Sequence, residues 1–122
     1  MRVERFEDLI AWQKARDLNR AVSEASNRGP FARNFALRDQ ISRAAVSVMA
    51  NIAEGFERTG SGEFEHALSI AKGSCAEVRS HLYAAFDMDC LDEPTFVQLR
   101  QQAEELSRII AGLRAAVHRS RH

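Results

Sequence analysis

Apolar residues recur every three or four positions along almost the whole chain, which is the period of an α-helix with one buried face. Three short breaks interrupt the pattern. The first periodic segment covers residues 8–27, with Leu9, Trp12, Ala15, Leu18, Val22 and Ala25 in register. Arg28-Gly29-Pro30 ends it, because Gly29 can take the left-handed position after a helix and Pro30 cannot continue one. The second segment covers residues 34–58, with Asn34 as its N-cap. Leu37, Ile41, Ala44, Val48 and Ile52 form one stripe along it, and Ala45, Met49, Ala53 and Phe56 form another beside the first. An apolar face this wide predicts a helix that touches more than one neighbour, and it favours self-association.

Thr59-Gly60-Ser61-Gly62 supplies flexible, cap-forming residues at the second break. The third segment, residues 62–89, carries Phe64, Leu68, Ala71, Cys75, Val78, Leu82 and Phe86. Asp92 is then placed to cap a fourth helix, with Pro94 tolerated in its first turn. Phe96, Leu99, Ala103, Leu106, Ile110, Leu113 and Val117 continue that helix for about 25 residues, or roughly 37 Å at 1.5 Å per residue. Long helices joined by short turns become antiparallel neighbours. No stretch alternates with period two for long enough to make a strand. The predicted fold is an all-α, antiparallel up-down four-helix bundle occupying residues 1–122 as a single domain. Gly73 stands out inside the third helix, where glycine costs about 1 kcal/mol relative to alanine. A close helix contact or a partner surface would account for it, and a solvent-facing position is the plainer alternative.

Composition narrows the function more than the fold. With 122 residues and 45% hydrophobic content, one core is sustainable without metal or disulfide staples. Lys plus Arg number 17 and Asp plus Glu also 17, so the chain lacks the positive excess that usually marks nucleic-acid binding. Cys75 and Cys90 form no C-x-x-C pair and have no histidine cluster beside them; Cys75 falls on the apolar face as a small core residue. No metal and no cofactor are expected. The start, Met1-Arg2-Val3-Glu4-Arg5, has no apolar core of a signal peptide, and no later stretch is long enough to span a membrane. The expected location is the cytoplasm.

The titratable residues do not assemble into an obvious catalyst. Ser74 and His81 lie two turns apart, too far for a nucleophile and its base, and His66 and Ser69 have no third group to orient them. Glu63-x-x-His66 occurs once, whereas a metal site in a bundle needs such motifs on facing helices. Glu77 and His81 predict a one-turn surface pair, and His118 and His122 predict exposed residues of a basic tail. Arg43, Ser47, Asn51, Glu54 and Arg58 flank the second helix and could meet Lys72, Ser74 or Glu77 across the bundle. Two readings stand for that group: a polar surface for a partner or oligomer mate, and a partly buried hydrogen-bond network that fixes helix register. Candidate phosphate contacts form two separate patches at opposite ends of the bundle. Arg28, Arg33, Arg38 and Arg43 make one; Arg114, Arg119 and Arg121, joined by Arg2 and Arg5, make the other.

Several of these residues also occur in longer motifs. Phe6-x-Asp8-Leu9-x-x-Trp12-Gln13-Lys14-Ala15 opens the chain, and Leu37-x-x-Gln40-Ile41-x-Arg43-Ala44-Ala45-Val46-Ser47-Val48 leads into Asn51-Ile52-Ala53-Glu54-Gly55. Glu63-Phe64 and Leu68-x-Ile70-Ala71-x-Gly73-Ser74-x-Ala76-Glu77 follow. In these stretches the chain resembles the bacterial four-helix-bundle family first noted as open reading frames in intervening sequences of the large-subunit ribosomal RNA gene. The resemblance implies an antiparallel bundle that assembles as a ring-like homopentamer, without catalytic residues, and whose partner is a protein or RNA. Some similar proteins are accessory factors of diversity-generating retroelements, which bind a reverse transcriptase and its template RNA through a markedly basic surface. The chain departs from the family pattern at Gly29 (usually Phe), Arg33 (an acid), Ala36 (glycine), Ser42 (the first of two arginines) and Met49 (often proline). The lost arginine and the zero net charge both take charge away from an RNA interface.

Overall fold

The computed structural model describes residues 3–121, and its four long helices follow from the periodic segments and their caps. A 3₁₀ turn, Phe6–Asp8, precedes five helices: α1 (Ile10–Ser26), α2 (Gly29–Arg33), α3 (Phe35–Glu57), α4 (Ser61–Asp87) and α5 (Glu93–Arg121). The four long helices pack in a ring, α1 on α3, α3 on α4, α4 on α5 and α5 back on α1. Ser47 meets Ser74 while Gly55 meets Ala67, and Cys75 meets Ala103 while Glu65 meets His118, so α4 runs antiparallel to both α3 and α5. The bundle is the predicted one.

The helix ends follow local chemistry. Asn34 caps α3, its side-chain oxygen accepting from the Leu37 N–H at 3.2 Å, and Asp92 caps α5 by accepting from the Thr95 N–H at 2.9 Å. Gly29 has φ +56°, the left-handed geometry expected of it. Two local features depart from the sequence reading. The first helix begins at Ile10 because Phe6–Asp8 forms a separate 3₁₀ turn. The break at Gly29-Pro30 also starts the short α2, since proline is acceptable in a first turn, and α2 drives Phe31 fully into the core. Asp89 takes the left-handed position after α4 (φ 59°), and the N–H groups of Asp89 and Cys90 return to the carbonyls of Phe86 and Ala85 at 3.1 and 2.8 Å.

Leu18, Ile41, Ile52, Leu68, Leu82, Leu106 and Ile110 are inaccessible or nearly so. Each such side chain stabilises the fold by roughly 1.5–3 kcal/mol relative to exposure. Cys75 is part of this core as expected. Its thiol donates to the Ala103 carbonyl at 3.1 Å, and burial pushes its pKa up to about 11. The second stripe of α3 is also used within the chain. Ala45 is buried, and Met49 and Phe56 pack partly buried against the core, Phe56 edge-on to Phe64 of α4 with ring centroids 5.8 Å apart. Within the chain, α3 packs on both α1 and α4, as a face of that width predicts. Met49 stands in an unbroken helix, without the kink a proline would bring.

The glycine of close approach is Gly55, and Gly73 is the plain case. A Cβ placed on Gly55 would lie 2.5 Å from the Ala67 Cβ and 3.1 Å from the Phe64 ring, whereas one on Gly73 meets nothing within 4 Å. Gly55→Ala is thus expected to destabilise the protein by about 1–3 kcal/mol through overpacking. Gly73→Ala should stabilise it by roughly 0.5–1 kcal/mol, the helix-propensity difference. Urea unfolding of the two variants against the parent checks both signs.

Candidate interaction surface

The closest seam of the bundle is the one between α3 and α4, and it positions most of the polar residues singled out in the sequence. Ser47, Asn51, Gly55 and Arg58 recur one turn apart on α3, and Glu63, Ala67, Ile70 and Ser74 do so on α4. Because Gly55 and Ala67 are small, the helices approach closely enough for Ser47 Oγ and Ser74 Oγ to hydrogen-bond at 2.9 Å. Asn51 Nδ2 donates to the Ser47 carbonyl at 2.9 Å and to Ser47 Oγ at 3.1 Å. Ser74 is only 8% exposed, so this pairing replaces water it has lost. Beyond it the seam opens into a groove of about 350 Å³ lined by Asn51, Glu54, Gly55, Arg58, Gly62, Glu63, His66, Ala67 and Ile70. Arg58 bridges to Glu63 at 3.4 Å on its rim, and Ile70 stands 44% exposed.

The structure thus unites Ser47, Asn51 and Ser74, with Glu54 and Arg58 further along the same seam, and separates the rest of the predicted network. Arg43 turns outward to Asp39 at 3.3 Å, and Glu77 pairs with His81 at 3.7 Å as the one-turn spacing suggested. Lys72 lies on the other flank of α4, in a second groove with Glu65, Arg114, His118 and Arg119. Helix rotation is the reason: Lys72 precedes Ser74 by two residues, about 200° round the helix. His66 and Ile70 were not singled out as site residues, though one-turn spacing from Ser74 would have placed Ile70 on the seam and one further turn His66.

The predicted cation patches are largely engaged with the chain itself. Arg28 faces Glu24 at 3.9 Å, Arg38 donates to the Ala32 carbonyl at 2.9 Å and lies over the Phe35 ring, and Arg33 is exposed. At the other end Glu65 is the hub. Its carboxylate, on a side chain only 12% exposed, accepts from Arg121 and from His118 Nδ1, both at 2.8 Å, with Arg114 at 3.8 Å. His118 is exposed, as expected, and is also hydrogen-bonded, because α5 continues far enough along α4 to reach this carboxylate. Arg5 pairs with Glu7 at 3.1 Å and so does not add a free charge to this patch; Arg2 and His122 lie outside the described residues.

These observations define the class: an all-α antiparallel four-helix bundle whose most organised polar residues form a surface seam. The family model for the 23S rRNA-intervening sequence protein matches residues 7–112, and the chain belongs to that family. Among solved structures, a Bacteroides thetaiotaomicron protein of the S23 ribosomal protein family, itself of unknown function, superposes with a TM-score of 0.80 at 18% identity. The match covers 87% of this chain and 96% of that one, and at such identity it speaks for the fold. No curated protein matches the sequence. Among the described residues no helix is long and apolar enough to cross a membrane.

The hydrogen bond from Arg121, with help from His118 and against the cost of partial burial, holds the Glu65 carboxyl below its ordinary value of 4.5. A depressed carboxylate contributes stability that is present above its unfolded pKa and lost as pH falls through the folded one. The last two turns of α5 should consequently loosen as pH drops below 4.5, the ordinary value. NMR shifts of residues 114–121 report this directly, and in Glu65→Gln the acid-dependent change should disappear.

Proposed function

We propose that this chain is a non-enzymatic interaction protein that self-associates through the α3–α4 seam. The observation that carries the reading is a convergence. Asn51, Glu54 and Gly55 from one family-like motif and Glu63 and Ile70 from the next line the same open groove. Residues from two separate stretches of sequence thereby meet at one surface groove. The groove's chemistry fits a macromolecular contact: an exposed aliphatic side chain beside carboxylates, a guanidinium and an imidazole. Its lining includes no hydroxyl or thiol nucleophile. Both sequence readings of the polar group apply, to different members. Ser47, Asn51 and Ser74 fix the register of α3 on α4, while Glu54, Arg58 and Ile70 are available to a second molecule.

A ring of five copies is the assembly implied by the resemblance. Sedimentation velocity at micromolar concentration should give a particle of about five times the 13.7 kDa chain mass. A monomer over the same range would sink the proposal. Ile70→Lys should weaken assembly at least about tenfold while leaving helicity unchanged, since that side chain already meets solvent. RNA binding is the competing reading, and the one-to-one pairing of Arg28 with Glu24 and of Arg43 with Asp39 weighs against it at one end of the bundle.

A further inference from the structure

Within a chain of zero net charge, two unlike surfaces lie on opposite flanks of α4. On the α3 side, Glu54 and Glu63 line the groove and Glu57 lines the adjoining depression, against the single guanidinium of Arg58. On the α5 side, Lys72, Arg114 and Arg119 line the second groove, about 390 Å³ in volume, against the single carboxylate of Glu65. Arg121, bound to Glu65, adds to that positive side. Glu63 and Glu65 are two residues apart, about 200° round the helix, so α4 separates the acidic groove from the basic one at the same end of the bundle.

We infer that the two grooves are the two halves of one head-to-tail contact, the basic α4–α5 groove of one copy docking on the acidic α3–α4 groove of the next. The inference rests on the self-association reading and names its surfaces. Charge is complementary in sign across the contact, which favours encounter and fixes which face meets which. Ile70 projects 44% exposed from the rim of the acidic groove, and the basic groove has Ala111 and Ala115 in its wall, with no side chain beyond Cβ to obstruct it. Because the paired surfaces differ and lie on different flanks of one helix, the contact is heterologous. Repetition closes a ring when the rotation between copies permits, and no two-fold axis relates the partners.

The test uses two charge-reversed forms of the full chain, Glu54→Lys with Glu57→Lys and Lys72→Glu with Arg119→Glu. All four positions are exposed, and circular dichroism verifies that each form keeps its helicity. In sedimentation at low salt each form alone should associate at least about tenfold more weakly than the parent. An equimolar mixture should associate again, because each form now presents the charge the other has lost. The inference is overturned if both forms assemble like the parent, or if the mixture recovers nothing. It is also overturned if the Lys72/Arg119 form loses bound nucleic acid while assembling normally, which would give the basic groove to a polyanion. If the parent chain is itself monomeric, self-association fails and this contact with it. If the parent assembles and only Ile70→Lys disrupts it, self-association stands and the charge pairing falls.

Discussion

The contact between Gly55 and Ala67 sets the geometry on which the rest of the seam depends. Helices that carry larger residues at a crossing are held 8–10 Å apart by side chains. Here the space for even one additional carbon is missing, since a Cβ on Gly55 would overlap the Cβ of Ala67. Only at that separation can two serine hydroxyls span the seam directly, and Ser47 also receives Asn51 Nδ2 from the next turn of its own helix. The groove follows from the same choice. Small residues at its floor leave the flanking side chains, Glu54, Arg58, His66 and Ile70, standing above it.

A second constraint acts along α5. This helix is 29 residues long against 17 in α1, about 18 Å longer at 1.5 Å per residue, so its end has less of the bundle to lean on. Leu113 and Val117 pack partly against the core, and beyond them the helix is anchored by charge, with Arg114, His118 and Arg121 gathered on Glu65. Basic residues in a last turn also suit the negative end of a helix dipole. One carboxylate cannot neutralise so many cations. The excess is what makes the α4–α5 groove basic, and the anchoring of the helix end and the electrostatic character of this face are thus one arrangement.

Most of the fold was legible because hydrophobic period and cap chemistry are local. Asn34, Asp92 and Gly29 each do what their position in the sequence predicts. The short α2 was hidden because proline ends one helix and suits the first turn of another, and periodicity says little about five residues. The site was half legible. Gly73 drew notice as a glycine inside a helix, but it lies about 200° from Ala71 and so faces away from the core. Gly55, three residues beyond Ile52, continues the buried stripe, and the same wheel would have marked it as the point of contact. Lys72 and Ser74 are likewise close in sequence without sharing a face, since two residues are about 200° round the helix.

Net charge was the least informative quantity of all. A total of zero describes a protein without a field equally well as one with opposed fields on two faces, and the difference is invisible until helix rotations are known. In this bundle α4 is the dividing line, with Glu63 on one flank and Lys72 on the other. Rotating α4 by one residue, about 100°, would turn one of these two side chains towards the core and the other away from it, so neither groove would keep the charge that α4 lends it. That rotation is fixed by Leu68, Ala71, Cys75, Val78 and Leu82, all fully buried. The core therefore determines more than stability. It sets the phase of α4, and the phase sorts a neutral sequence into an acidic groove and a basic one.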